Sequence, residues 1–311
     1  LALGLGLRGQ ADPAEAQRMI ERALDLGVNL IDCANLYSPL DIHANVGQSE
    51  EILGRAIRGK RDQAVITTKV AGRVGPGPND VGLSRVHILR EIDRSLARLG
   101  ADYVDVYLVH VFDPTTPLEE TVRALDDVVR AGKARYVGCC NFAAWQVCRG
   151  LWLAERSGLT PFMCVQNQYS LLERGPEREL MGLVKALGLG MMAYSPLAIG
   201  LLSGLYRPGE PPPQGSFWQQ RGRQERFERL MAGQPGRVIG EVLAVARELG
   251  KTPAQVALAW VLSHPEVTCA ITGGDTIAHL EDNVGALGWS LPPELRERLD
   301  KVSQTPDLLD A

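Results

Sequence analysis

The chain has 311 residues, of which 45% are hydrophobic and 23% are charged, and its formal net charge is −4 at pH 7. This composition provides for a large buried core, and the lack of any basic block of lysines and arginines argues against a nucleic-acid or membrane surface. No apolar run approaches the ~20 residues that a membrane-spanning helix needs.

The six cysteines and five histidines constrain the class of protein further. Their spacing fits no zinc site, so we expect no metal. A disulfide framework is not expected in a chain of this size, and several cysteines lie inside apolar runs, where a free thiol behaves as a small hydrophobe. We therefore expect a protein of a reducing compartment, the cytoplasm, without a membrane or nucleic-acid partner.

Short apolar runs that are rich in β-branched residues recur along the chain. They are apolar on both faces, as the strands of a buried parallel sheet should be. Because the sequence begins inside such a run, we expect that further residues precede Leu1. The predicted strands are 1–5, 28–33, 64–69, 103–110, 134–139, 163–166, 190–193 and 267–271.

Helical patterns lie between these runs, and most of them end in a glycine, which is a common C-terminal cap. The first begins with Asp12 as N-cap and Pro13 at its first helical position. The predicted helices are 13–26, 49–57, 84–99, 118–131, 143–155, 177–187 and 236–249. The capping glycines are Gly27, Gly100, Gly132, Gly158, Gly188 and Gly250.

The repeated order of strand, helix and glycine indicates βαβ units around a parallel sheet. Seven or eight repeats favour an α/β fold of the closed (β/α)8 TIM-barrel class, as a single domain over 1–311. The alternative is an open Rossmann-type sheet, but the glycine-rich turn of that fold does not follow the first strand. Segment 197–235 is rich in proline and glycine, and we predict that it is a long active-site loop.

Polar side chains follow the carboxyl ends of successive predicted strands. In a barrel these ends meet on one face, and that face carries the active site. Taken singly, such residues are more often helix caps, solvated charges or satisfied core groups, but together on one rim they predict a site. They are Asp32, Lys69, His110, Asn141, Gln166, Tyr194 and Ser195, with Tyr37 shortly after Asp32.

Four of these residues can perform acid/base chemistry together. A lysine ammonium lowers the pKa of a nearby tyrosine, which is ordinarily ~10. Asp32 would hold Lys69 in place, so that Tyr37 acts as general acid in carbonyl reduction and as general base in the reverse reaction. His110 would orient the carbonyl oxygen and stabilise the developing alkoxide. Because no side chain supplies a hydride, a cofactor is required.

Six segments, taken in order, form a specific combination of motifs. They read NLIDCANLY at 29–37, ITTK at 66–69, DVYLVH at 105–110, GCCNF at 138–142, VQNQY at 165–169 and AYSPL at 193–197. The combination resembles the aldo-keto reductase family, in the branch that holds aryl-alcohol dehydrogenases and ion-channel β subunits. The resemblance implies a (β/α)8 barrel and NAD(P)H-dependent reduction of an aldehyde, ketone or sugar carbonyl, or the reverse. It also implies a catalytic tetrad of Asp32, Tyr37, Lys69 and His110.

The resemblance further implies NADP(H) as the cofactor and assigns residues to it. The nicotinamide would be held by Cys140, Asn141, Gln166 and, through stacking, Tyr194. The pyrophosphate path would be lined by Ser195, Leu197 and Ser203. The adenosine end would be held by Gly274, Asp275, Thr276, Asp282 and Asn283. A helix that opens near Thr276 also suits an anion on chemical grounds, because its first N–H groups point outward.

Three positions depart from the family pattern. Cys140 stands where members usually have Ser, and a thiol is the weaker donor to the carboxamide. Asp275 stands where many members carry a basic residue for the 2′-phosphate of NADP, so NAD(H) is the alternative cofactor. Val111 stands where an arginine commonly follows the tetrad histidine, which alters the expected substrate pocket.

The sequence specifies the substrate poorly and the oligomeric state not at all. Phe112, Trp145, Phe217 and Trp218 are candidate apolar walls for a small-molecule substrate. One alternative is a reductase of a nucleotide-linked keto or enoyl sugar in natural-product biosynthesis. Two others differ in class: a nucleotide-binding sensor subunit without turnover, and a lyase that forms a Schiff base on Lys69, against which the nearby Asp32 argues.

Overall fold

The computed structural model describes residues 13–37, 46–220 and 222–304. In these ranges strands and helices alternate, as the sequence predicts. The strands are β1 (Leu30–Asp32), β2 (Val65–Val70), β3 (Val104–Val109), β4 (Ala134–Cys140), β5 (Phe162–Gln168), β6 (Gly190–Tyr194) and β7 (Val267–Ile271). The strand predicted at 1–5 lies outside the described residues.

Helices connect the strands. They are α1 (Pro13–Asp25), α2 (Gln48–Ala56), α3 (Arg85–Leu99), α4 (Leu118–Arg130), α5 (Ala144–Ser157), α6 (Leu180–Leu187), α7 (Gln224–Ala232), α8 (Gln234–Leu249), α9 (Pro253–Leu262), α10 (Ile277–Val284) and α11 (Pro293–Ser303). Short 3-10 helices lie at Arg61–Gln63, Gly175–Arg178 and Phe217–Gln219. In the part of the chain that the structure describes, no helix is long and apolar enough to cross a bilayer.

The seven strands form one sheet, and their order in the sheet is their order along the chain. Neighbouring strands from β1 to β5 pair in parallel, with Asp32 beside Thr67 and Cys140 beside Gln166. Parallel strands in sequential order, joined by helices, are the arrangement of the predicted (β/α)8 class. The open Rossmann alternative differs, because its strand order reverses at a switch point.

Most predicted boundaries agree with the structure to within a few residues, and two differences have a clear cause. The segment predicted as one helix over 177–187 is a 3-10 turn followed by α6, because Glu179 between them has a non-helical backbone (φ −144°, ψ −43°). β1 is shorter than predicted, yet the pairing continues beyond it, since Cys33 N donates to Thr67 O at 2.9 Å.

The sequence patterns did not reveal α7, α9 and α11. α9 is nearly all apolar and almost wholly buried, so it lacks the alternation of apolar and polar faces by which helices are recognised. Its start was nevertheless marked by a capping box. Thr252 Oγ1 accepts from Gln255 N at 3.2 Å, and the Gln255 side chain accepts from Thr252 N at 3.4 Å.

The chain divides into two compact units. The first comprises the described residues of Leu1–Asn167, Gly182–Met191 and Gly273–Leu280. The second comprises those of Gln168–Met181, Met192–Thr272 and Glu281–Ala311. That the whole chain forms a single domain stays a prediction.

Segment 197–235, predicted as a long loop, contains the turn Phe217–Gln219, the helix α7 and a small apolar core. The ring centroids of Tyr206 and Phe227 are 5.5 Å apart, and those of Trp218 and Phe227 are 6.3 Å apart. Trp218 is only 4% exposed. It therefore stabilises this segment and does not offer an open wall to a substrate.

In the first unit, Gly138 allows β4 to lie close to both of its neighbours. A Cβ at this position would lie 2.6 Å from Cys164 O and 2.8 Å from Leu108 Cδ2. The register between β4 and β5 also shifts between Val137 and Gly138. Any side chain here would push the strands apart, and with them the residues that follow β4.

The turn after β3 is held by the carboxylate of Asp113. Its Oδ2 accepts from Leu83 N at 2.8 Å and from Thr116 Oγ1 at 2.7 Å, and its Oδ1 accepts from Thr115 N at 2.8 Å. Burial raises the pKa of Asp113, but these hydrogen bonds outweigh burial and bring the pKa to about 2. The carboxylate thereby ties the chain just beyond His110 to the segment before α3.

We expect Asp113→Asn to lower the free energy of unfolding by about 1–3 kcal/mol at pH 7, because one acceptor becomes a donor that faces other donors. The folded pKa lies below the usual 3.8, so this stabilisation is present above pH 4 and is lost as the pH falls toward 2. Chemical denaturation of both proteins between pH 7 and pH 3 measures the difference. A difference that does not shrink below pH 4 would show that the carboxylate charge is not its cause.

Candidate active site

The centre of the site is a buried ion pair between Lys69 and Asp32. Lys69 Nζ lies 2.6 Å from Asp32 Oδ2, and the two side chains are 0% and 3% exposed. Lys69 Nζ also donates to Cys33 O at 2.9 Å. Burial raises the pKa of Asp32, but the Lys69 charge and the surrounding hydrogen bonds outweigh burial, so the pKa lies below its usual value. Buried charges persist when they are paired and hydrogen-bonded, as both are here.

The pairing of β1 with β2 brings these residues together. Asp32 lies beside Thr67 in the parallel register, and Thr67 shares a face of β2 with Lys69 because side chains alternate along a strand. Thr67 Oγ1 donates to Asp32 Oδ1. The pairing extends past β1, since Asn35 N donates to Lys69 O at 3.2 Å. Backbone register therefore sets the distance between the two charges.

Tyr37 contacts both members of the ion pair. Its hydroxyl donates to Asp32 Oδ2 at 2.6 Å and accepts from Lys69 Nζ at 2.7 Å. The ammonium also lies 4.5 Å from the centroid of the phenol ring. The structure thus brings together three of the four predicted catalytic residues.

The prediction that Lys69 lowers the pKa of Tyr37 is wrong in this structure. Burial of the phenol, together with the charge of Asp32 to which it donates, raises the pKa of Tyr37 well above its usual value. The ammonium that would stabilise a phenolate is already neutralised by the carboxylate. Tyr37 is therefore a neutral phenol that retains its proton.

His110 follows β3 and faces Tyr37. The two rings are T-shaped, with centroids 6.0 Å apart and an interplanar angle of 88°. His110 N donates to Val70 O at 2.8 Å, which fixes the end of β3 against β2. Burial, and then the charge of Lys69, lower the pKa of His110 to about 4. At pH 7 the imidazole is neutral and carries one N–H, so it can orient a carbonyl oxygen.

Asn141 and Gln166 join this rim from β4 and β5. Asn141 has a φ of 57°, a left-handed conformation in which Asn is enriched among non-glycine residues. Its N donates to Gln166 O at 3.0 Å, and its Nδ2 donates to His110 O at 2.9 Å. Gln166 Nε2 donates to Asp32 Oδ1 at 3.0 Å. Both residues therefore contact the tetrad directly.

Sequence reasoning missed the groups that hold the second oxygen of Asp32. Oδ1 accepts from Thr67 and Gln166, whereas Oδ2 accepts from the ammonium and the phenol. A signal for Thr67 was present, because it precedes Lys69 by two positions in a strand. No local pattern indicates the Gln166 contact, because the sheet brings it to Asp32 from 134 residues away.

Cys140 ends β4 and lies beside Gln166 in the register between β4 and β5. The side chain is 0% exposed, and burial raises the pKa of its thiol well above the usual value. It is therefore a neutral thiol at the position where the family resemblance implies a hydroxyl donor. Its place directly before Asn141 puts it on the rim that carries the tetrad.

Four predicted cofactor residues lie in the second unit, at the end of β6 and just beyond it: Tyr194, Ser195, Leu197 and Ser203. The backbone there is strained, since Ser195, Ala198 and Ile199 have φ values of 53°, 48° and 56°. Such a conformation costs about 1–2 kcal/mol at a residue with a Cβ, and it is found preferentially at functional turns. A hydrogen bond within the turn stabilises it, since Ser203 Oγ donates to Gly200 O at 2.7 Å.

Three more of the predicted cofactor residues precede α10 in the first unit: Gly274, Asp275 and Thr276. Thr276 Oγ1 accepts from His279 N at 3.2 Å and caps the helix. A Cβ on Gly274 would lie 2.9 Å from His279 Cβ, so the turn into α10 requires a glycine. Asp275 is exposed at the start of this helix.

The last two predicted cofactor residues, Asp282 and Asn283, lie in the second unit, where their side chains form hydrogen bonds between elements. Asp282 accepts from Thr252 Oγ1 at 3.0 Å and from Gln255 Nε2 at 2.9 Å, which joins α10 to the start of α9. Asn283 Nδ2 donates to Thr272 Oγ1 at 2.8 Å, which joins α10 to the chain just after β7.

Aromatic side chains lie just beyond the ends of β3 and β4. The ring of Phe112 packs edge-on against Phe142 at 5.4 Å and against Trp145 at 6.0 Å between centroids. Trp145 is 57% exposed. Two of the predicted apolar walls are therefore adjacent in the first unit. In the second unit, Phe217 packs under the guanidinium of Arg223 at 3.7 Å.

We expect the His110 ring to stay neutral as the pH falls from 8 to about 5, and to titrate with a midpoint of about 4. The cause is its burial beside the Lys69 ammonium. Proton NMR of the imidazole signals measures the midpoint, and the signal that His110→Gln removes identifies the ring. A midpoint near 6.5 would contradict the described environment.

Comparisons with known proteins agree with this geometry. A model of the Aldo/keto reductase family matches residues 1–304. The chain is 37% identical over 302 residues to a probable voltage-gated potassium channel subunit beta of Oryza sativa subsp. japonica, covering 95% of this chain and 89% of that protein. It is 35% identical over 302 residues, with the same coverage, to the uncharacterized oxidoreductase YrpG of Bacillus subtilis. It is 35% identical over 297 residues to the L-glyceraldehyde 3-phosphate reductase of Escherichia coli K12, covering 92% and 84%.

The family model spans nearly the whole chain, and these relatives exceed 30% identity over most of their length. The predicted (β/α)8 fold class and the predicted class of NAD(P)H-dependent carbonyl oxidoreductase are confirmed. The chain belongs to the aldo/keto reductase family.

Proposed function

We propose that the protein reduces an aldehyde, ketone or sugar carbonyl to an alcohol, or catalyses the reverse, with Tyr37 as general acid and base. The observation that carries this proposal is the position of the phenol, 2.6 Å from the carboxylate of Asp32 and 2.7 Å from the ammonium of Lys69. A bound nicotinamide supplies the hydride.

Proton transfer from Tyr37 accompanies the growth of negative charge on the carbonyl oxygen. As the proton leaves, the phenolate forms next to the Lys69 ammonium, which stabilises it. The raised pKa of Tyr37 keeps the proton on the phenol until the oxygen becomes basic enough to take it. In the reverse direction the phenolate must form first, and it then accepts the proton of the alcohol as general base.

His110 would act as an orienting donor. Its neutral ring lies edge-to-face with Tyr37, so a carbonyl oxygen that accepts from Tyr37 can also meet the imidazole N–H. Two donors on one oxygen fix its direction and stabilise the alkoxide that develops there. Because the ring is neutral at pH 7, it does not compete with Tyr37 as the acid.

Two features, one in each unit, are consistent with a dinucleotide. The start of α10 is a helix N-terminus, where phosphates can bind. The turn after β6 has the strained backbone that is found preferentially at functional sites. We propose that the nicotinamide end is held by Cys140, Asn141, Gln166 and Tyr194. The phosphates and adenosine would be held by Ser195, Leu197, Ser203, Gly274, Asp275, Thr276, Asp282 and Asn283.

We propose NADP(H) as the cofactor, with reduced discrimination against NAD(H) because of Asp275. A carboxylate near the adenosine ribose would repel a 2′-phosphate, whereas it can accept a hydrogen bond from a ribose hydroxyl. Asp275 is exposed directly before the residue that caps α10, which supports this placement.

For the substrate, we propose a small carbonyl compound with an apolar part that rests against Phe112 and Trp145. These rings lie just past the strand ends that carry the tetrad histidine and Asn141, and Trp145 is largely exposed. Although some relatives are named as channel subunits, no contact among the described residues favours a sensor without turnover over an enzyme.

The six cysteines support the proposal of a cytoplasmic location. All six are free thiols, and four of them are buried. Unpaired thiols in this number persist in a reducing compartment, where disulfides are rare.

We expect Tyr37→Phe to lower kcat for carbonyl reduction by about 10²–10⁴-fold while leaving nucleotide affinity nearly unchanged, since it removes the proton donor and keeps the ring. Steady-state kinetics and a fluorescence titration measure the two quantities. The matched control is Tyr136→Phe, because Tyr136 is 55% exposed at the start of β4 and should be without effect. Full turnover by Tyr37→Phe would show that another group is the acid.

We expect Asp275→Arg to raise the affinity for NADPH relative to NADH by about 10–100-fold, because a cation replaces an anion near the 2′-phosphate. Tryptophan fluorescence titrations with each nucleotide give the ratio. Asp275→Asn isolates the loss of repulsion, and Asp102→Arg, exposed before β3, is the control for net charge. An unchanged ratio would place Asp275 away from the ribose, and binding of neither nucleotide to the unaltered protein would remove hydride transfer altogether.

A further inference from the structure

The segment between Asp32 and Tyr37 is fixed at its middle residue, Asn35. This residue is 0% exposed. Its backbone N–H donates to Lys69 O at 3.2 Å, and its carbonyl accepts from Gly47 N at 2.8 Å. Asn35 therefore joins three parts of the site: the strand that carries the ammonium, the chain that leads to the phenol, and the start of α2.

Ser49 on α2 holds the residue before it. The Ser49 hydroxyl donates to Ala34 O at 2.9 Å and accepts from Ala34 N at 3.3 Å. A single side chain thus occupies both backbone groups of Ala34. The backbone that follows β1 is therefore attached to α2 as well as to β2.

The side chain of Asn35 reaches a fully buried carboxylate. Asn35 Nδ2 donates to Glu91 Oε2 at 3.1 Å, and Glu91 is 0% exposed within α3. Glu91 is balanced by Arg94, whose Nη1 lies 2.8 Å from Oε1, and by Arg98, whose Nη2 lies 3.9 Å from Oε2. The amide of Asn35 therefore bonds to a charge that is itself held in place.

Arg98 connects this carboxylate to a second one. Its Nε lies 2.6 Å from Oε2 of Glu50, which is also 0% exposed. Glu50 Oε1 in turn accepts from Thr68 Oγ1 at 2.5 Å, and Thr68 precedes Lys69 on β2. Arg98 lies directly against Gly47, which has a φ of 77° and no room for a Cβ. The network thus begins and ends on β2, at Lys69 and Thr68.

Stability alone gives a poor account of such a network. Replacing a buried ion pair by apolar side chains of the same volume is often neutral or stabilising, because desolvation of the charges is costly. What charged hydrogen bonds add over apolar contacts is direction and distance. Glu50 and Glu91 are fully buried and bond to Thr68 and Asn35, which adjoin the site. A role in setting the positions of these residues explains them better than stability does.

We propose that Asn35, Glu91 and Arg98 form a clamp that positions Tyr37 against Lys69. The proposal rests on the role of Tyr37 as the acid. Asn35 is bonded to the backbone of Lys69, and Tyr37 follows Asn35 by two residues. The positions of Lys69 and Tyr37 therefore both depend on where Asn35 is held. None of the three clamp residues touches the reacting atoms; they act through the position of the phenol.

The test is Asn35→Ala, which removes the bond to Glu91 and keeps the backbone bonds. Misplacement of a catalytic group by about 1 Å costs on the order of 10²-fold in rate, so we expect kcat to fall about 10–100-fold. The nucleotide Kd and the substrate KM should stay within about twofold. In alcohol oxidation the midpoint of the pH profile should also move, because the phenol would change its distance to both charges that it contacts, the Asp32 carboxylate and the Lys69 ammonium.

Tyr107→Phe is the matched control. Tyr107 is fully buried on β3, and its hydroxyl donates to Ile88 O on α3 at 3.3 Å rather than to a clamp residue. It should lose a comparable amount of stability and retain kcat and the pH profile. Equal loss of kcat in Asn35→Ala and Tyr107→Phe would overturn the clamp, because it would make the effect one of general stability.

A second pair of variants keeps the proposal testable if Asn35→Ala does not fold. Glu91→Gln retains an acceptor of the same length for Asn35, whereas Glu91→Ala removes it. We expect Glu91→Ala to lose about tenfold more kcat than Glu91→Gln, and equal values would overturn the proposal.

Tyr37→Phe, measured alongside, separates this inference from the proposed function. If Tyr37→Phe is inactive and a folded Asn35→Ala keeps kcat within twofold, the clamp alone is wrong. If Tyr37→Phe retains full turnover, the assignment of the acid is wrong, and the clamp fails with it.

Discussion

The buried pair of Asp32 and Lys69 is the interaction on which the site depends, because every neighbouring polar group is arranged around it. One carboxylate oxygen accepts from the ammonium and from Tyr37, and the other accepts from Thr67 and Gln166. Removing either charge would leave the other buried without a partner, which is strongly destabilising. Burial and the charge of Asp32 raise the pKa of Tyr37 above its usual value. In the proposed reaction, the phenol would act as a neutral acid beside this pair.

Strand register supplies the accuracy that this arrangement needs. The ends of β1 to β5 each contribute a group, and parallel hydrogen bonding places those ends side by side. Backbone bonds continue past the strands, from Asn35 to Lys69 and from Asn141 to Gln166, so the residues that carry the chemistry are still fastened to the sheet. Charged groups on α2 and α3 also hold Asn35 and Thr68, the residues next to these strand ends. The strand ends and their supports thus hold the site's donors within hydrogen-bond distance of Asp32.

Much of this was predictable, and the exceptions share a physical origin. Apolar runs that end in a polar residue predicted that Asp32, Lys69 and His110 lie at strand ends, and the structure has them there, because that pattern is local to each strand. The direction in which the Tyr37 pKa shifts was not predictable, since it depends on burial and on the hydrogen bond that the phenol donates to Asp32. The buried glutamates were missed for a related reason. Acidic residues on amphipathic helices usually face water, and only the packing of α2 against α3 shows that Glu50 and Glu91 do not. Local periodicity therefore identified the elements, whereas the pairing of charges across elements required the structure.

The left-handed turn after β6 has a consequence for how that part of the chain keeps its shape. Ala198 and Ile199 intrinsically favour the right-handed region by about 1–2 kcal/mol each, so the observed conformation exists only because the surrounding structure imposes it. The shape of this turn is therefore a property of its surroundings rather than of its own residues. A substitution that weakens those surroundings would change the turn even where it does not touch it, whereas glycine at these positions would remove the steric cost of the left-handed conformation.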